Sequence, residues 1–250
     1  MRELIEIRVA TERVEAIVAT PDETDAHPGV LLFMDAFGLR PQIEAMADRI
    51  ASWGYVVLAP NTLYRSGRVA KVSPPADLRD PDTVAKVFAR VMPMIGRLDG
   101  AAAAVDVPAY VAALRALPQC APGAIGVTGY CMGARLATRA AGLDASIAAC
   151  GGFHGGRLAT DDPDSPHRGL SHARAAFVYG HADEDAGMDA EAQSRLDAAL
   201  AEAGVRHTTA VYPGARHGFT MADTGAYDAQ AAQRHYAELE ALLRDTLERP

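Results

Sequence analysis

The feature that most narrows the fold is the pentapeptide Gly129-Tyr130-Cys131-Met132-Gly133, set between a strand predicted at residues 124–128 and a stretch of helical spacing at 134–141. A strand that enters a helix through a G-x-nucleophile-x-G turn makes an elbow. Its middle residue is forced into a strained backbone conformation that lifts the side chain above the sheet, and its glycines sit where a Cβ would collide with neighbouring elements. The following helix aims free amides and its positive end at the Cys131 sulfur, which favours thiolate over thiol. The same five residues also read as a small buried cysteine between two glycines. The rest of the chain has to decide.

Residues 4–10 and 14–19 are short, alternating and β-prone, which predicts an antiparallel hairpin. The run at 30–34 is continuously apolar, the pattern of a strand covered on both faces, and helical spacing follows at 43–53. Further strands are expected at 55–59, 124–128, 146–150, 175–179 and 207–212, and further helices at 109–117, 134–141, 189–203 and 228–247. In the last of these, Tyr236, Leu239, Leu243 and Leu247 share one stripe. Strands alternating with helices imply an α/β fold: a mostly parallel twisted sheet, helices on both faces, and the hairpin at its start. No repeat, low-complexity tract or linker divides the series, so residues 1–250 are expected to form a single domain. Two stretches break the alternation: 61–106, which contains Ser73-Pro74-Pro75 and Pro93, and 153–174, rich in Gly, Pro, His and Asp. Both are expected over the site as covering loops or short helices.

Composition limits the partners. With 49% hydrophobic and 22% charged residues the chain falls among globular proteins, and 24 Lys and Arg against 32 Asp and Glu leave a formal charge of −8. No overall positive field exists to gather nucleic acid or anionic lipid, which leaves a small molecule as the expected partner of a monomer or homodimer. No window approaches the roughly 18 apolar residues of a membrane span, and charges interrupt the N-terminal residues where a signal peptide would be apolar. Three cysteines, Cys120, Cys131 and Cys150, do not make a disulfide framework and suit a reducing compartment, so a cytoplasmic location is expected.

Order along the chain bears on Cys131. Gly180-His181-Ala182-Asp183 follows the strand expected at 175–179, and Pro213-Gly214-Ala215-Arg216-His217-Gly218-Phe219 follows the one at 207–212. Asp183 and His217 thus come 52 and then 34 residues further on, each behind a strand. Nucleophile, acid, histidine, each at the carboxyl end of a strand, is the order of an α/β-hydrolase triad. The cluster His181-x-Asp183-x-Asp185 could gather a metal, but it reads as a solvated turn whose Asp183 is already committed to His217; no metal and no cofactor are expected. His154 reads either as a residue lining the pocket or as a loop imidazole, with no catalytic role.

At this point the chain resembles the dienelactone hydrolases, cysteine-dependent members of the α/β-hydrolase fold. The resemblance covers nearly the whole chain. It rests on Leu32-Phe33-Met34-Asp35-Ala36-Phe37-Gly38, Gly54-Tyr55-Val56-Val57-Leu58-Ala59-Pro60, the elbow, and the Asp183 and His217 segments. It implies Cys131 as nucleophile, Asp183 as orienting acid, His217 as base, and the amides of Ala36 and Met132 as oxyanion hole. It also implies a carboxylate after the third strand that contacts the cysteine in the resting enzyme and helps to activate it. Here that residue is Asp35, one methylene shorter than the family's usual glutamate, so either the backbone approaches the sulfur more closely or that activation is weaker. As a bare residue Asp35 can also be read as a strand-end turn former.

The family's best-known members hold a substrate carboxylate with arginines, one of them four residues after the histidine. This chain has Met221 there, and Arg65, Arg68 and Arg216 lie in regions from which one could reach the ligand. Phe37, Tyr130, Phe219 and Met221 are the expected substrate-binding side chains. The expected reaction is hydrolysis of lactones or activated esters through an acyl-cysteine. The alternative is a catalytically silent scaffold of the same fold that binds a small ligand or a protein partner, suggested only by Asp35 and Met221.

Overall fold

A computed structural model describes residues 1–73, 77–183 and 185–248. One eight-stranded sheet runs in the order β1-β2-β4-β3-β5-β6-β7-β8. Its strands are β1 (Arg2–Val9), β2 (Glu12–Ala19), β3 (Gly29–Phe33), β4 (Val56–Pro60), β5 (Ile125–Tyr130), β6 (Ile147–Phe153), β7 (Ala176–Ala182) and β8 (His207–Tyr212). Only β2 runs against the rest, pairing antiparallel with β1 and with β4, while β4-β3-β5-β6-β7-β8 is parallel throughout. The expected hairpin and mostly parallel sheet are both present.

The centre of the sheet shows why continuous apolar runs mark parallel strands. β3, β4 and β5 are buried at every residue because helices cover both faces. Helices α1 (Pro41–Ala51) and α7 (Ala229–Leu247) share one face, where Trp53 packs edge-on against Tyr236 with ring centres 5.9 Å apart. On α7 the stripe centres on Leu239 and Leu243, joined by the buried His235 and Leu242, with Tyr236 and Leu247 at its margins. The other face carries α4 (Gly100–Arg115) and α5 (Met132–Leu143), with α6 (Ala190–Glu202) farther along.

The covering segment at 61–106 is more regular than expected. After the single turn α2 (Val69–Val72) it holds α3 (Pro81–Ile95), and α4 begins nine residues before the helix expected at 109. Two aspartates start these helices: the Asp80 carboxylate accepts from the Thr83 amide, and that of Asp99 from the Ala102 amide. Pro81 occupies the first turn of α3, where no amide is needed, and Val87, Val91 and Ile95 form its buried stripe. Pro93 lies inside α3, so as a breaker it pointed the wrong way, and Pro108 lies inside α4. Pro74 and Pro75 lie outside the described residues. The segment at 153–174 stays irregular apart from the 3-10 turn Pro166–His172. Among the described residues no helix is long and apolar enough to cross a membrane.

Candidate active site

The site is built on the carboxyl ends of β3, β5, β7 and β8. At the end of β5, Cys131 takes φ 54° and ψ −116°, a strained conformation for a residue with a Cβ. Its flanking glycines have a steric reason. A Cβ on Gly129 would lie 2.0 Å from the Gly133 carbonyl oxygen, and one on Gly133 would lie 2.2 Å from that of Phe33. The elbow therefore fits only with glycine on both sides, and it leaves the Cys131 sulfur part-exposed at the start of α5.

His217 comes from the turn behind β8 and reaches the sulfur, with Nε2 3.0 Å from Cys131 Sγ. Its Nδ1 lies 2.6 Å from Oδ2 of Asp185, whose other oxygen accepts from the Gly187 amide at 2.8 Å. The triad-like chain is thus Cys131–His217–Asp185, and the expectation of Asp183 as orienting acid is corrected. Strand β7 runs three residues beyond the expected Tyr179, so Asp183 falls at the start of the turn and is used there. It ties the turns behind β7 and β8 together, its carboxylate accepting from the Gly214 amide at 2.8 Å and its amide donating to the Ala215 carbonyl at 2.7 Å. The second carboxylate of His-x-Asp-x-Asp is the one that meets the imidazole. Among the described residues no group of three or more His, Cys, Asp or Glu side chains is arranged to hold a metal ion.

Charge follows this geometry. Burial disfavours a protonated His217, yet its hydrogen bonds to Asp185 and Cys131 outweigh that and raise its pKa to about 10. Burial likewise pushes the Asp185 carboxyl up, and the bond and charge of His217 with the Gly187 amide bring it below its ordinary value. A protonated His217 donates from one nitrogen to the carboxylate and from the other to sulfur.

Asp35 does not reach the sulfur. Both its oxygens are taken by Arg40, Nη1 at 2.6 Å and Nη2 at 3.0 Å, and Oδ1 also accepts from the Phe37 amide at 3.1 Å. The expected contact between Asp35 and Cys131 is therefore replaced by a buried ion pair, and Cys131 is partnered by His217 instead. Nothing in the sequence around Arg40 pointed to it. Among the described residues neither the Ala36 nor the Met132 amide has a hydrogen-bond acceptor. Both flank the elbow, one behind β3 and one at the first residue of α5.

Cys131 and His217 open on a cavity of about 530 Å³. Phe37 and Met221, two of the side chains expected to bind substrate, lie on its wall, together with Val84 and Phe88 of α3, which sequence reasoning did not assign to the site. Tyr130 and Phe219 are not on its wall. Tyr130 is fully buried, stacked on Phe153 at 5.8 Å and edge-on to His235, while Phe219 is stacked on Tyr212 at 4.9 Å. Tyr130 precedes the elbow and, by the alternation of a strand, points away from the cysteine side. Phe219 acts one layer back, edge-on to His154, which does line the cavity. His154 is buried, its Nε2 2.7 Å from the Thr220 hydroxyl, and burial holds its pKa well below the ordinary value.

Of the arginines considered from sequence, Arg65 is taken up by Asp106 at 2.6 and 2.8 Å, and Arg68 by Glu6 and Glu15. Arg216 lines the cavity, joined by Arg79. Their guanidinium groups donate to the backbone carbonyls of Gly225 and Ala222, and among the described residues neither pairs with a carboxylate.

A sulfur nucleophile at a strand-to-helix elbow, an imidazole behind β8 and a carboxylate behind β7 define a cysteine-dependent hydrolase of the α/β-hydrolase fold. The sequence profile of the dienelactone hydrolase family matches residues 14–247, and the chain belongs to that family. A relative from Methylorubrum extorquens, named as a candidate carboxymethylenebutenolidase, is 26% identical over 237 residues, covering 92% of this chain and 76% of its own. One from Synechocystis with the same name is 23% identical, covering 94% and 93%. Among solved structures, a dienelactone hydrolase-like promiscuous phosphotriesterase from metagenomic libraries is 21% identical and superposes with a TM-score of 0.81 over 98% of both chains. At that identity the superposition speaks to the fold.

Proposed function

We propose that this protein hydrolyses small lactones and activated esters through an acyl-cysteine formed on Cys131. The observation that carries this reading is the continuous contact from Sγ through His217 to Asp185 at the edge of a cavity large enough for such a ligand. The thiolate attacks the carbonyl carbon, and the electron pair of the C=O bond moves to oxygen, where the amides of Ala36 and Met132 receive it. Such donors are each worth roughly 3 to 4 kcal/mol of transition-state stabilisation in other enzymes. Collapse of the adduct breaks the bond to the leaving oxygen, which takes the proton from His217 Nε2. Water then attacks the acyl-cysteine, gives a proton to Nε2, and the sulfur leaves as thiolate with release of the acid. A thiolate is itself a good leaving group, so the first adduct goes forward only when the departing oxygen is stable, as in enol lactones and aryl esters.

The substrate class follows from the walls. Phe37, Val84, Phe88 and Met221 offer an apolar body, while Arg79 and Arg216 offer cations that, among the described residues, have no carboxylate partner, which supports a substrate that carries a carboxylate. The contacts from Cys131 through His217 to Asp185 all lie within one chain, which supports a reading in which either a monomer or a homodimer acts. A reducing, cytoplasmic setting suits a reaction that needs a free thiol, and Cys120, Cys131 and Cys150 are all free.

A panel of neutral and carboxylated enol lactones and aryl esters, assayed with wild type and Cys131→Ala, tests this. Wild type is expected to turn over and Cys131→Ala not; equal rates in the two proteins would refute it. Arg216→Gln and Arg79→Gln are expected to raise KM for the carboxylated substrates alone.

A further inference from the structure

The turn behind β3 is organised around Arg40. Its side chain is nearly buried, and every N–H of its guanidinium is used. Nε donates to Asp223 Oδ2 at 2.6 Å, Nη2 to Asp223 Oδ1 at 3.0 Å and to Asp35 Oδ2 at 3.0 Å, and Nη1 to Asp35 Oδ1 at 2.6 Å and to the Gly38 carbonyl at 3.3 Å. Two forks thus join the turn at residues 35–38 to the segment after His217. Inside that turn the Phe37 amide is bound to the Asp35 side chain, and the Gly38 amide to the Asp35 carbonyl at 3.3 Å. Gly38 has φ +83°, and a Cβ there would meet the Ser73 hydroxyl at 2.5 Å. With these two amides held, the Ala36 amide is left with no acceptor among the described residues, on a residue that lines the cavity.

We propose that Arg40 is a positioning residue, clamping Asp35 and Asp223 so that the Ala36 amide is held ready for the oxyanion, and that Asp35 serves as the anchor of this clamp and not as a partner of the Cys131 sulfur. The inference rests on the acyl-cysteine reading. It differs from the role that family resemblance implies for Asp35, because here both carboxylate oxygens are held by the guanidinium fork, and the hydrogen-bond partner of the Cys131 sulfur is His217. The other fork, at Asp223, ties the same guanidinium to the segment containing Met221, Thr224 and Gly225, which walls the cavity.

The test compares Arg40→Lys, which keeps the charge and loses the fork, with wild type on three readouts. On an aryl ester, kcat is expected to fall about 10- to 100-fold with KM changed less than threefold, since a misplaced donor acts on the transition state. The preference for an oxyester over the matching thionoester is expected to narrow about tenfold, because a thiocarbonyl sulfur accepts hydrogen bonds poorly and gains little from the amide. Alkylation of Cys131 by iodoacetamide, which uses no oxyanion hole, is expected to stay within about twofold of wild type. Should Arg40→Lys not fold, Asp35→Asn, which keeps the shape of the turn, carries the same three measurements. The proposal is overturned if kcat stays within twofold of wild type, if the oxyester preference is unchanged, or if alkylation falls in step with kcat. Hydrolysis by Cys131→Ala at the wild-type rate would remove the acyl-cysteine reading and this proposal together. An inactive Cys131→Ala beside a fully active Arg40→Lys removes this proposal alone.

Discussion

Asp183 and Asp185 stand two residues apart in one turn and do unlike work: Asp185 meets His217 Nδ1 at 2.6 Å, and Asp183 accepts from the Gly214 amide at 2.8 Å. Asp185→Asn is therefore expected to lower kcat by about two to four orders of magnitude, because an amide favours the wrong imidazole tautomer and cannot hold an imidazolium. Asp183→Asn keeps an oxygen for Gly214 and is expected to stay within about tenfold of wild type. Steady-state rates on an aryl ester decide it, and the reverse ranking would restore Asp183 as the acid.

The alkaline side of the stability profile should carry the signature of His217. Its folded pKa is raised to about 10, so the folded protein holds the proton more tightly than the unfolded chain. The sign follows: this stabilisation is complete below the unfolded value near about 6.5 and is lost as pH rises through about 10. Its side chain is 37% exposed, so solvent screens the effect. Urea midpoints from pH 6 to 10.5 should decline more in wild type than in His217→Gln; parallel curves would count against the assignment.

Acid should act through other histidines. Burial lowers His181 to about 4 and His235 to about 3, and holds His154 well below its ordinary value. Each stays neutral when folded and takes a proton when unfolded, so stability falls as pH drops below about 6.5, by up to about 1.4 kcal/mol per pH unit for each. His235→Gln should remove about a third of that slope between pH 6 and 4.5, measured by denaturant titration. An unchanged slope would rule His235 out as a source.

Gly133→Ala tests the elbow. The added methyl would face the Phe33 carbonyl oxygen at 2.2 Å and that of Met34 at 2.5 Å, both backbone, so β3 and α5 must separate. A loss of at least about 3 kcal/mol in unfolding free energy is expected, as for other severe overpacking, along with loss of turnover. A variant as stable and as active as wild type would show that the strand and helix can part without cost.

What the sequence disclosed and what it hid divide along physical lines. Continuous apolar runs disclosed β3 and β4, because burial on both faces leaves little place for polar residues, while β5, which keeps Thr128, was disclosed by its position before the elbow. The elbow disclosed itself because only glycine fits at 129 and 133. Helix α3 was hidden by Pro93, which signals a break wherever it stands, although the helix is carried by its aspartate cap and by Val87, Val91 and Ile95. The choice between Asp183 and Asp185 depended on where β7 ends, and three extra residues of strand moved the site along the turn. Tyr130 and Phe219 stand one and two residues from catalytic residues in the chain, but Tyr130 points to the other side of the strand and Phe219 packs behind His154. Arg40 had no local mark at all, since Asp223, one of the two carboxylates it holds, lies 183 residues away in the chain.

The cavity wall taken from α3 contributes nothing to the reacting atoms, which all stand on sheet ends. Val84 and Phe88 can therefore change size from one descendant of this sequence to another while the chemistry underneath goes on undisturbed. Such a division lets a lineage try new esters by altering one helix, with little risk to the reaction it inherited.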